Sequence, residues 1–333
     1  MKLFIYEHIT SGALSNEVLP ASLEREGNMM LHAIIDDFIQ LDDIELIILR
    51  DHRLEAINII NPAIECTFVD NEHAFQQAYQ QAIKLADYIL PIAPETDNIL
   101  CDIQNFIQAE GKQLLGCQPT ATAISTDKYL CYQSLNSHSI PTPKTLLASE
   151  WSLSRFGPTH GYVLKPRDGA GSLDTQFFPD KSALENCLNN SQVDLSQFVI
   201  QPYIAGTPIS LSILCNETSA TVLAINNQHI SLQDNAFSFL GCTVNGADLS
   251  AEQATSISQT IHSAIDGLWG FIGIDAIVSE DNIVIIDINP RLTTSYIGLH
   301  ESLQTNPAQL LLSMMKTNSV PPIPHRQPVE ILL

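Results

Sequence analysis

Positive charge is scarce in this sequence. Its 333 residues include 15 lysines and arginines against 37 aspartates and glutamates, which gives a formal net charge of -22 at pH 7. Duplex nucleic acid and anionic lipid surfaces are themselves negative, so neither is attracted to such a chain. We therefore expect no nucleic acid and no membrane among its partners. A lone lysine among apolar residues becomes informative, because it is expected to have an anionic partner.

Long hydrophobic runs are also missing. No apolar stretch reaches the ~20 residues that span a bilayer. Hydrophobic residues nevertheless make up 45% of the chain and the mean hydropathy is +0.08, which is typical of a globular protein. The segment Met1–His8 breaks its apolar run after four residues and has no small-residue cleavage site, so it predicts a strand and not a signal peptide.

Several sequence signatures are absent. The seven cysteines are odd in number and never spaced as CxxC, which gives no zinc signature and favours reduced thiols in a cytoplasmic protein. Neither the dinucleotide fingerprint GxGxxG nor the P-loop GxxxxGK[ST] occurs. The sequence is compatible with a homodimer but does not set the oligomeric state.

Strand and helix patterns alternate over residues 1–118. This alternation predicts an open α/β domain, with strands at 3–6, 46–49, 66–69 and 88–92. Ligands of such sheets bind at the carboxyl ends of the strands. Glu7, Ser11, Gly12 and the loop Pro91–Glu95 are therefore candidate substrate ligands, with ordinary polar loops as the alternative.

The stretch 273–291 predicts a β-hairpin, because β-branched apolar runs flank a polar turn at 279–282. If the turn is a three-residue loop, Asp275 faces Asp287 and Asn289 shares their face. A loop of two or four residues would put the two aspartates on opposite faces. The other face is then apolar and carries Ile274, Ala276, Ile286 and Ile288.

Two neighbouring carboxylates repel each other, so the hairpin predicts a cation between them. Ligands that are all oxygen favour Mg²⁺ or Mn²⁺, and a magnesium site with few protein ligands usually includes substrate phosphates. Arg291 follows Pro290, and its guanidinium suits phosphate or carboxylate. A surface hairpin with solvated aspartates is the alternative.

A second phosphate signal lies in the loop 165–172. Lys165 ends an apolar strand, and Gly169 and Gly171 allow backbone amides to approach an anion closely. A generic glycine-containing turn is the alternative. After the hairpin, hydroxyl side chains could bind a substrate carboxylate or amine, or cap a helix; they are Thr294, Ser295 and Tyr296.

The chain resembles the ATP-grasp ligases in the order and spacing of four features. They are Lys128, the loop 165–172, the strand Val199–Tyr203, and the pair Asp275 and Asp287. The resemblance covers nearly the whole chain and implies an α/β ATP-grasp fold. Its parts are an N-terminal open α/β (pre-ATP-grasp) domain, a lid subdomain, a C-terminal α+β subdomain with the metal-bearing sheet, and a tail, at 1–118, 119–200, 201–320 and 321–333. The segments 6–12, 19–27 and 289–296 resemble more closely the tyramine–glutamate ligase type, which acts in methanofuran-type cofactor synthesis.

The resemblance also implies roles for individual residues. ATP is implied to contact Lys128, Lys165, Gly169, Gly171, Ser172, Gln201 and Tyr203. Mg²⁺ (or Mn²⁺) is implied to bind Asp275, Asp287 and Asn289, while Arg291 and Lys165 act on the transferred phosphoryl group. The chain departs from the family in two ways. Many members have glutamate at the position of Asp287, and many have an acidic ribose ligand just after the hinge, where 206–210 has none.

The implied reaction is ATP-dependent ligation of small molecules, an amino acid and an amine. A carboxylate attacks the γ-phosphorus of ATP, and an amine converts the acyl-phosphate to an amide. The closer resemblance implies the γ-carboxylate of L-glutamate as the acid, and tyramine or tyrosine as the amine. Two alternatives stay open: a ligase for another pair, such as a dipeptide or polyglutamate former, and an ATP-binding protein without turnover.

Overall fold

A computed structural model describes residues 1–57, 61–151, 156, 159–169, 174–279 and 282–333. Gly171 and Ser172, which were predicted to contact ATP, lie outside the described residues. Within the described ranges, the strands form one five-stranded and one ten-stranded sheet. No helix in these ranges is long and apolar enough to cross a bilayer.

The five-stranded sheet is the predicted open α/β domain. Its strands are all parallel and run in the order β3-β2-β1-β4-β5. Phe4 packs into a core on one face while Leu3 and Ile5 pack on the other, and burial on both faces explains the continuous apolar runs. The elements are β1 (Lys2–Glu7), α1 (Ala21–Phe38), β2 (Glu45–Asp51), β3 (Ile64–Val69), α2 (Glu72–Leu85), β4 (Tyr88–Ile92), α3 (Ile99–Ala109) and β5 (Gln113–Leu114).

The lid subdomain contributes one end of the ten-stranded sheet. Its strands β8, β7, β9 and β6 are antiparallel neighbours. The predicted boundary between 200 and 201 falls inside β9, which pairs with β7 and β6. The elements are α4 (Pro119–Thr126), α5 (Lys128–Ser137), β6 (Leu146–Leu147), β7 (Tyr162–Pro166), β8 (Gln176–Phe178), α6 (Lys181–Asn190) and β9 (Phe198–Pro202).

The carboxy-terminal subdomain supplies the rest of this sheet, in the order β14-β13-β10-β11-β12. A long β11–β12 hairpin reaches the lid, where Ala236 pairs with Gln176 of β8. The two subdomains therefore share one sheet. The elements are β10 (Thr207–Cys215), β11 (Ala220–Gln233), β12 (Ala236–Val244), α7 (Ala251–Ala264), β13 (Gly270–Val278), β14 (Ile283–Asn289), α8 (Leu299–Leu303), α9 (Pro307–Thr317) and β15 (Val329–Leu332).

The β13–β14 hairpin places Asp275 opposite Asp287, as predicted, but by a different route. The predicted three-residue loop is wrong, because Val278 pairs with Ile283 and four residues connect the strands. A β-bulge then adds Ile286 to β14, which shifts the register by one residue before Asp287. Bulges insert one residue into one strand of an antiparallel pair, so this one restores the pairing that a four-residue turn alone would lose.

The bulge also exchanges the environments of two isoleucines. Ile286 was predicted for the core face, but it lines a cavity, while Ile285 is buried in the core. Ile274, Ala276 and Ile288 are buried in that core as predicted. Strict two-residue alternation therefore fails only at the bulge.

The segment 321–333, expected to be a tail, is joined to the large sheet. Its strand β15 pairs antiparallel with β12, and the amide of Gln327 donates to the Ser302 carbonyl. Ile331 packs into the main core and is 9% exposed, whereas Leu332 points outward and is 56% exposed.

This docking predicts different costs for two adjacent truncations. We expect Ile331→Ala to lower the free energy of unfolding by about 2 kcal/mol or more, because a buried side chain is lost. Leu332→Ala, the matched control on the same strand, should stay within about 0.5 kcal/mol of wild type. Urea denaturation of both variants measures the difference, and equal costs would contradict the docking of β15.

Candidate active site

One cavity of about 420 Å³ lies between the lid strands and the carboxy-terminal strands. Residues far apart in the chain meet there, because the large sheet carries both subdomains. Predicted site residues that line the cavity are Lys128, Lys165, Gly169, Gln201, Tyr203, Asp275, Asp287, Asn289, Arg291, Thr294 and Ser295.

A carboxylate pair forms the centre of the cavity wall. Asp275 accepts hydrogen bonds from Gln228 Nε2 at 2.8 Å and from Asn289 Nδ2 at 3.0 Å. Burial raises the pKa of Asp275 to about 6, and the adjacent charge of Asp287 adds to the shift. This carboxylate is therefore costly to ionise unless positive charge lies nearby.

The residues at this position fit a hard divalent cation. Asp275, Asp287 and Asn289 can present carboxylate and amide oxygens, which Mg²⁺ and Mn²⁺ prefer. Within the described ranges, no three His, Cys, Asp or Glu side chains are grouped so as to hold a metal ion. The protein therefore offers few ligands here, as is usual where substrate phosphates complete a magnesium shell.

Two buried lysines face the carboxylates. Lys128 Nζ lies 3.3 Å from Asp287 Oδ2 and donates to the Gly169 carbonyl at 3.1 Å. Burial lowers the pKa of Lys165 to about 8; Lys128 also lowers it, and Asp287 opposes the shift. Two ammonium groups in one buried cavity favour a multiply charged anion such as a phosphate chain.

The start of α5 holds Lys128 in place. Asp127 caps this helix by accepting from the amides of Tyr129 and Leu130. Arg167, in the loop after β7, donates to Asp127 Oδ2 from Nε at 2.8 Å and from Nη2 at 2.7 Å. The Lys128 amide in turn donates to the Arg167 carbonyl. The loop that begins at Lys165 is thus tied to the helix that carries Lys128.

The residues around the end of β9 form an apolar wall of the cavity. Gln201 donates from Nε2 to Thr145 Oγ1 at 2.8 Å, which fixes its side chain. The Tyr203 ring packs edge-on against Phe177, with 5.0 Å between the ring centroids. Further apolar lining comes from Val163, Ile204, Ile277 and Ile286. Apolar surface with a few fixed polar groups suits a planar base.

Arg291 is held by a residue from the amino-terminal domain. Its Nε and Nη2 donate to the two carboxylate oxygens of Glu95 at 2.8 and 3.0 Å. Burial alone would lower the pKa of Arg291, but Glu95 and then Glu26 raise it. Two parallel bonds fix the plane of a guanidinium. Glu95 lies in the Pro91–Glu95 loop that was predicted as a ligand region.

Glu26 is a cavity residue that was not among the predicted ligands. It lies on α1, lines the cavity, and accepts a hydrogen bond from Thr294 Oγ1. Its only sequence signal was its position inside the segment 19–27, which carried the closer resemblance. Ser295 Oγ bonds with Ser212 Oγ at 2.8 Å and with Thr293 Oγ1 at 3.1 Å. Carboxylate and hydroxyl groups thus line the same end of the cavity.

Four predicted substrate residues do not line this cavity. Glu7 accepts from the amides of Ile9 and Thr10, and Ser11 donates to the carbonyl of residue 8. These contacts hold the loop after β1. Gly12 has φ +92°, and a Cβ there would lie 2.7 Å from the residue 69 side chain, so glycine is required for backbone and packing.

Tyr296 was predicted to bind substrate, but the structure directs it elsewhere. It lies in a 3₁₀-helix, Thr294–Gly298, where three residues complete a turn. Thr294 and Ser295 therefore face the cavity, and Tyr296 turns toward α1. There its hydroxyl donates to Asp37 Oδ2 at 2.7 Å.

Comparisons with known proteins agree with this geometry. The sequence model of the ATP-grasp domain matches residues 125–295, and that of the pre ATP-grasp 3 domain matches residues 44–122. The chain is 28% identical over 319 residues to a tyramine–L-glutamate ligase from Methanocaldococcus jannaschii, which covers 95% of this chain and 89% of the relative. A tyramine–L-glutamate ligase from Methanocaldococcus fervens is 28% identical over 321 residues, covering 96% of this chain and 94% of the relative.

Two solved structures show the same fold. An ATP-grasp superfamily protein from Archaeoglobus fulgidus matches with a TM-score of 0.72 and 21% identity, over 98% of this chain and 91% of that one. D-alanine–D-alanine ligase from Bacillus anthracis matches with a TM-score of 0.64 and 17% identity, over 95% of each chain. At these identities the likeness concerns the arrangement of sheets and helices.

The position of Glu7 predicts a pH dependence of stability. Burial raises the pKa of Glu7 from 4.5 to about 7, and the hydrogen bonds from Thr10 oppose the shift. A folded-state pKa above the unfolded value gives stability that is present below about pH 4.5 and lost as the pH rises through about 7. We expect Glu7→Gln to remove this component, which is roughly 3 kcal/mol at most.

Urea denaturation at pH 5 and pH 8 measures this loss. The exposed residue Glu110 offers a control, because Glu110→Gln should keep the pH slope of the wild type. A Glu7→Gln protein with the unchanged slope would show that Glu7 is not the titrating group.

Proposed function

The chain belongs to the ATP-grasp family and is an ATP-dependent amide-forming ligase, and we propose that it joins the γ-carboxylate of L-glutamate to tyramine. The observation that carries the chemistry is the meeting of Asp275, Asp287, Lys128 and Lys165 in one cavity. The substrates are proposed from the similarity to tyramine–L-glutamate ligases, which extends over 95% and 96% of this chain.

The four residues Asp275, Asp287, Lys128 and Lys165, which we call the charged centre, would bind the phosphate chain of ATP. Asp275, Asp287 and Asn289 would hold Mg²⁺ or Mn²⁺, which neutralises phosphate charge when bound. Lys128 and Lys165 supply positive charge from the other side, and burial strengthens their attraction for the phosphoryl oxygens. The apolar wall beside Gln201 and Tyr203 would take the adenine ring.

Arg291 is proposed to bind the transferred phosphoryl group. One edge of its guanidinium, Nε and Nη2, donates to the two carboxylate oxygens of Glu95 at 2.8 and 3.0 Å. The arginine is therefore oriented before any substrate arrives, and pre-organised donors lose no reorganisation energy during reaction. Nη1 bonds to the Leu292 carbonyl at 3.1 Å, which fixes the side chain further.

The reaction proceeds in two displacements. A carboxylate oxygen of the acid attacks the γ-phosphorus of ATP, and the bond to ADP breaks. The ammonium group of the amine substrate loses one proton, and the neutral nitrogen attacks the carbonyl carbon of the acyl-phosphate; phosphate leaves, and the nitrogen loses a second proton as the amide forms. The walls of the cavity must exclude water during this interval, since water would hydrolyse the acyl-phosphate.

Glu26 is proposed to attract the ammonium group of a substrate. Its carboxylate lines the same end of the cavity as Thr294 and Ser295. A negative group there complements a cationic amine, while the neighbouring Ser295 hydroxyl can donate to a carboxylate. An amino acid and an amine both carry such groups, which supports the proposed substrate classes.

The cytoplasm is the proposed compartment. All seven cysteines are free thiols, which is the ordinary state in a reducing environment. The reaction also consumes ATP, which we expect the cytoplasm to supply.

A panel of amines tests the proposed activity. With ATP, Mg²⁺ and L-glutamate, we expect ADP release to depend on added tyramine, and the product to be the γ-amide by mass spectrometry. Turnover with a second amino acid in place of tyramine would favour a dipeptide former. Absence of ADP with every amine and acid pair would contradict the ligase function.

Asp287→Asn tests the charged centre. We expect turnover to fall by roughly a hundredfold or more, because one negative oxygen of the proposed metal site is replaced by a neutral amide. The exposed Asp266 supplies the matched control, since Asp266→Asn should keep wild-type turnover. Thermal unfolding checks that both variants are folded. Near-normal turnover of folded Asp287→Asn would remove this residue from the site.

A further inference from the structure

The β11–β12 hairpin adds an apolar wall that the proposed chemistry does not use. Ile230 pairs with Phe239 and Leu232 pairs with Phe237 across the two strands. All four side chains line the cavity, and none is buried. We call these four residues the hairpin patch.

A β-bulge turns the hairpin patch toward the cavity. The register of β11 and β12 shifts between His229 and Ile230, so Leu240 is the extra residue. Gly241 beside it has φ +136°, a conformation that side chains rarely adopt. Beyond the bulge, polar Ser231 and Ser238 pair with each other between the apolar pairs. Alternate residues of a strand point to opposite faces, so the apolar pairs share one face.

The hairpin patch lies close to the charged centre. Gln228 precedes Ile230 on the same face of β11, and its amide donates to Asp275 Oδ1 at 2.8 Å. Two residues along a strand correspond to about 7 Å. Phe239 also packs against the core that includes Tyr296 and Met30, which come from the 3₁₀-helix and from α1. These are the elements that carry Thr294 and Glu26.

The hairpin patch is separate from the wall proposed for adenine. That wall is built from β7, the end of β9, β13 and β14. In the order of the sheet, β10 lies between β13 and β11. The cavity thus has an apolar surface on β11 and β12 besides the wall proposed for adenine, and one nucleotide has a single base to place.

We propose that the hairpin patch is the subsite for the aromatic ring of the amine substrate, with Phe239 as its main contact. The inference rests on the proposed ligase function and deepens it. The patch offers phenylalanine and branched aliphatic surface, against which an aromatic ring packs edge-on or offset. An amine joined to the ring by a short chain can then lie between the patch and Glu26. The enzyme therefore selects arylalkylamines over short aliphatic amines.

Kinetics of Phe239→Ala test this assignment. We expect the KM for tyramine to rise roughly 10-fold or more, since the apolar surface that buries the ring is lost. The KM values for ATP and L-glutamate should stay within about twofold, and the KM for butylamine should change little. Leu240 is adjacent and 49% exposed, and it does not line the cavity, so Leu240→Ala should match wild type for every substrate.

The other outcomes separate this inference from the ligase function. A raised KM for ATP with an unchanged KM for tyramine would assign the patch to the nucleotide and overturn the inference. Equal efficiency of wild type with tyramine and butylamine would overturn it too, while the ligase function would stand. Absence of ADP release with any amine would overturn both. If Phe239→Ala does not fold, Ile230→Ala, judged by the same KM values, decides the question.

Discussion

Electrostatic repulsion between Asp275 and Asp287 is the constraint on which this site depends. The two carboxylates face each other across adjacent strands, and burial makes the charge of Asp275 costly to carry. Lys128 and Lys165 offset that cost from the lid side. The aspartates of one subdomain and the lysines of the other therefore stabilise each other only where both subdomains line the same cavity. The shared sheet brings the two subdomains together at that place.

The amino-terminal domain contributes through the segment that follows β14. Arg291 bonds to Glu95, Thr294 to Glu26, and Tyr296 to Asp37. Each contact joins a residue of this short segment to the first domain. The chain thus places its phosphate-facing arginine and its substrate-facing hydroxyls with the help of a domain that carries none of the proposed phosphate ligands.

Sequence reasoning succeeded where local pattern determines structure. Parallel strands buried on both faces read as apolar runs. Asp275 lies opposite Asp287 as predicted, although the connection and the bulge that bring them together differ from the prediction. Sequence reasoning failed at Ile286, because alternation does not show where a strand accommodates an extra residue. It also missed Glu26 and the pairing of Glu95, whose partners lie 268 and 196 residues away. Tyr296 was misplaced because a 3₁₀-helix turns each successive side chain by about 120°.

The bulge at Ile286 has a consequence for how the hairpin tolerates insertion and deletion. A four-residue connection with a bulge and a three-residue connection without one both leave Asp275 opposite Asp287. Length variation at the tip can therefore be absorbed at Ile286, the residue of β14 that directly precedes Asp287. The pairing of the two aspartates is kept, because the residue added at the bulge offsets the residue added at the turn.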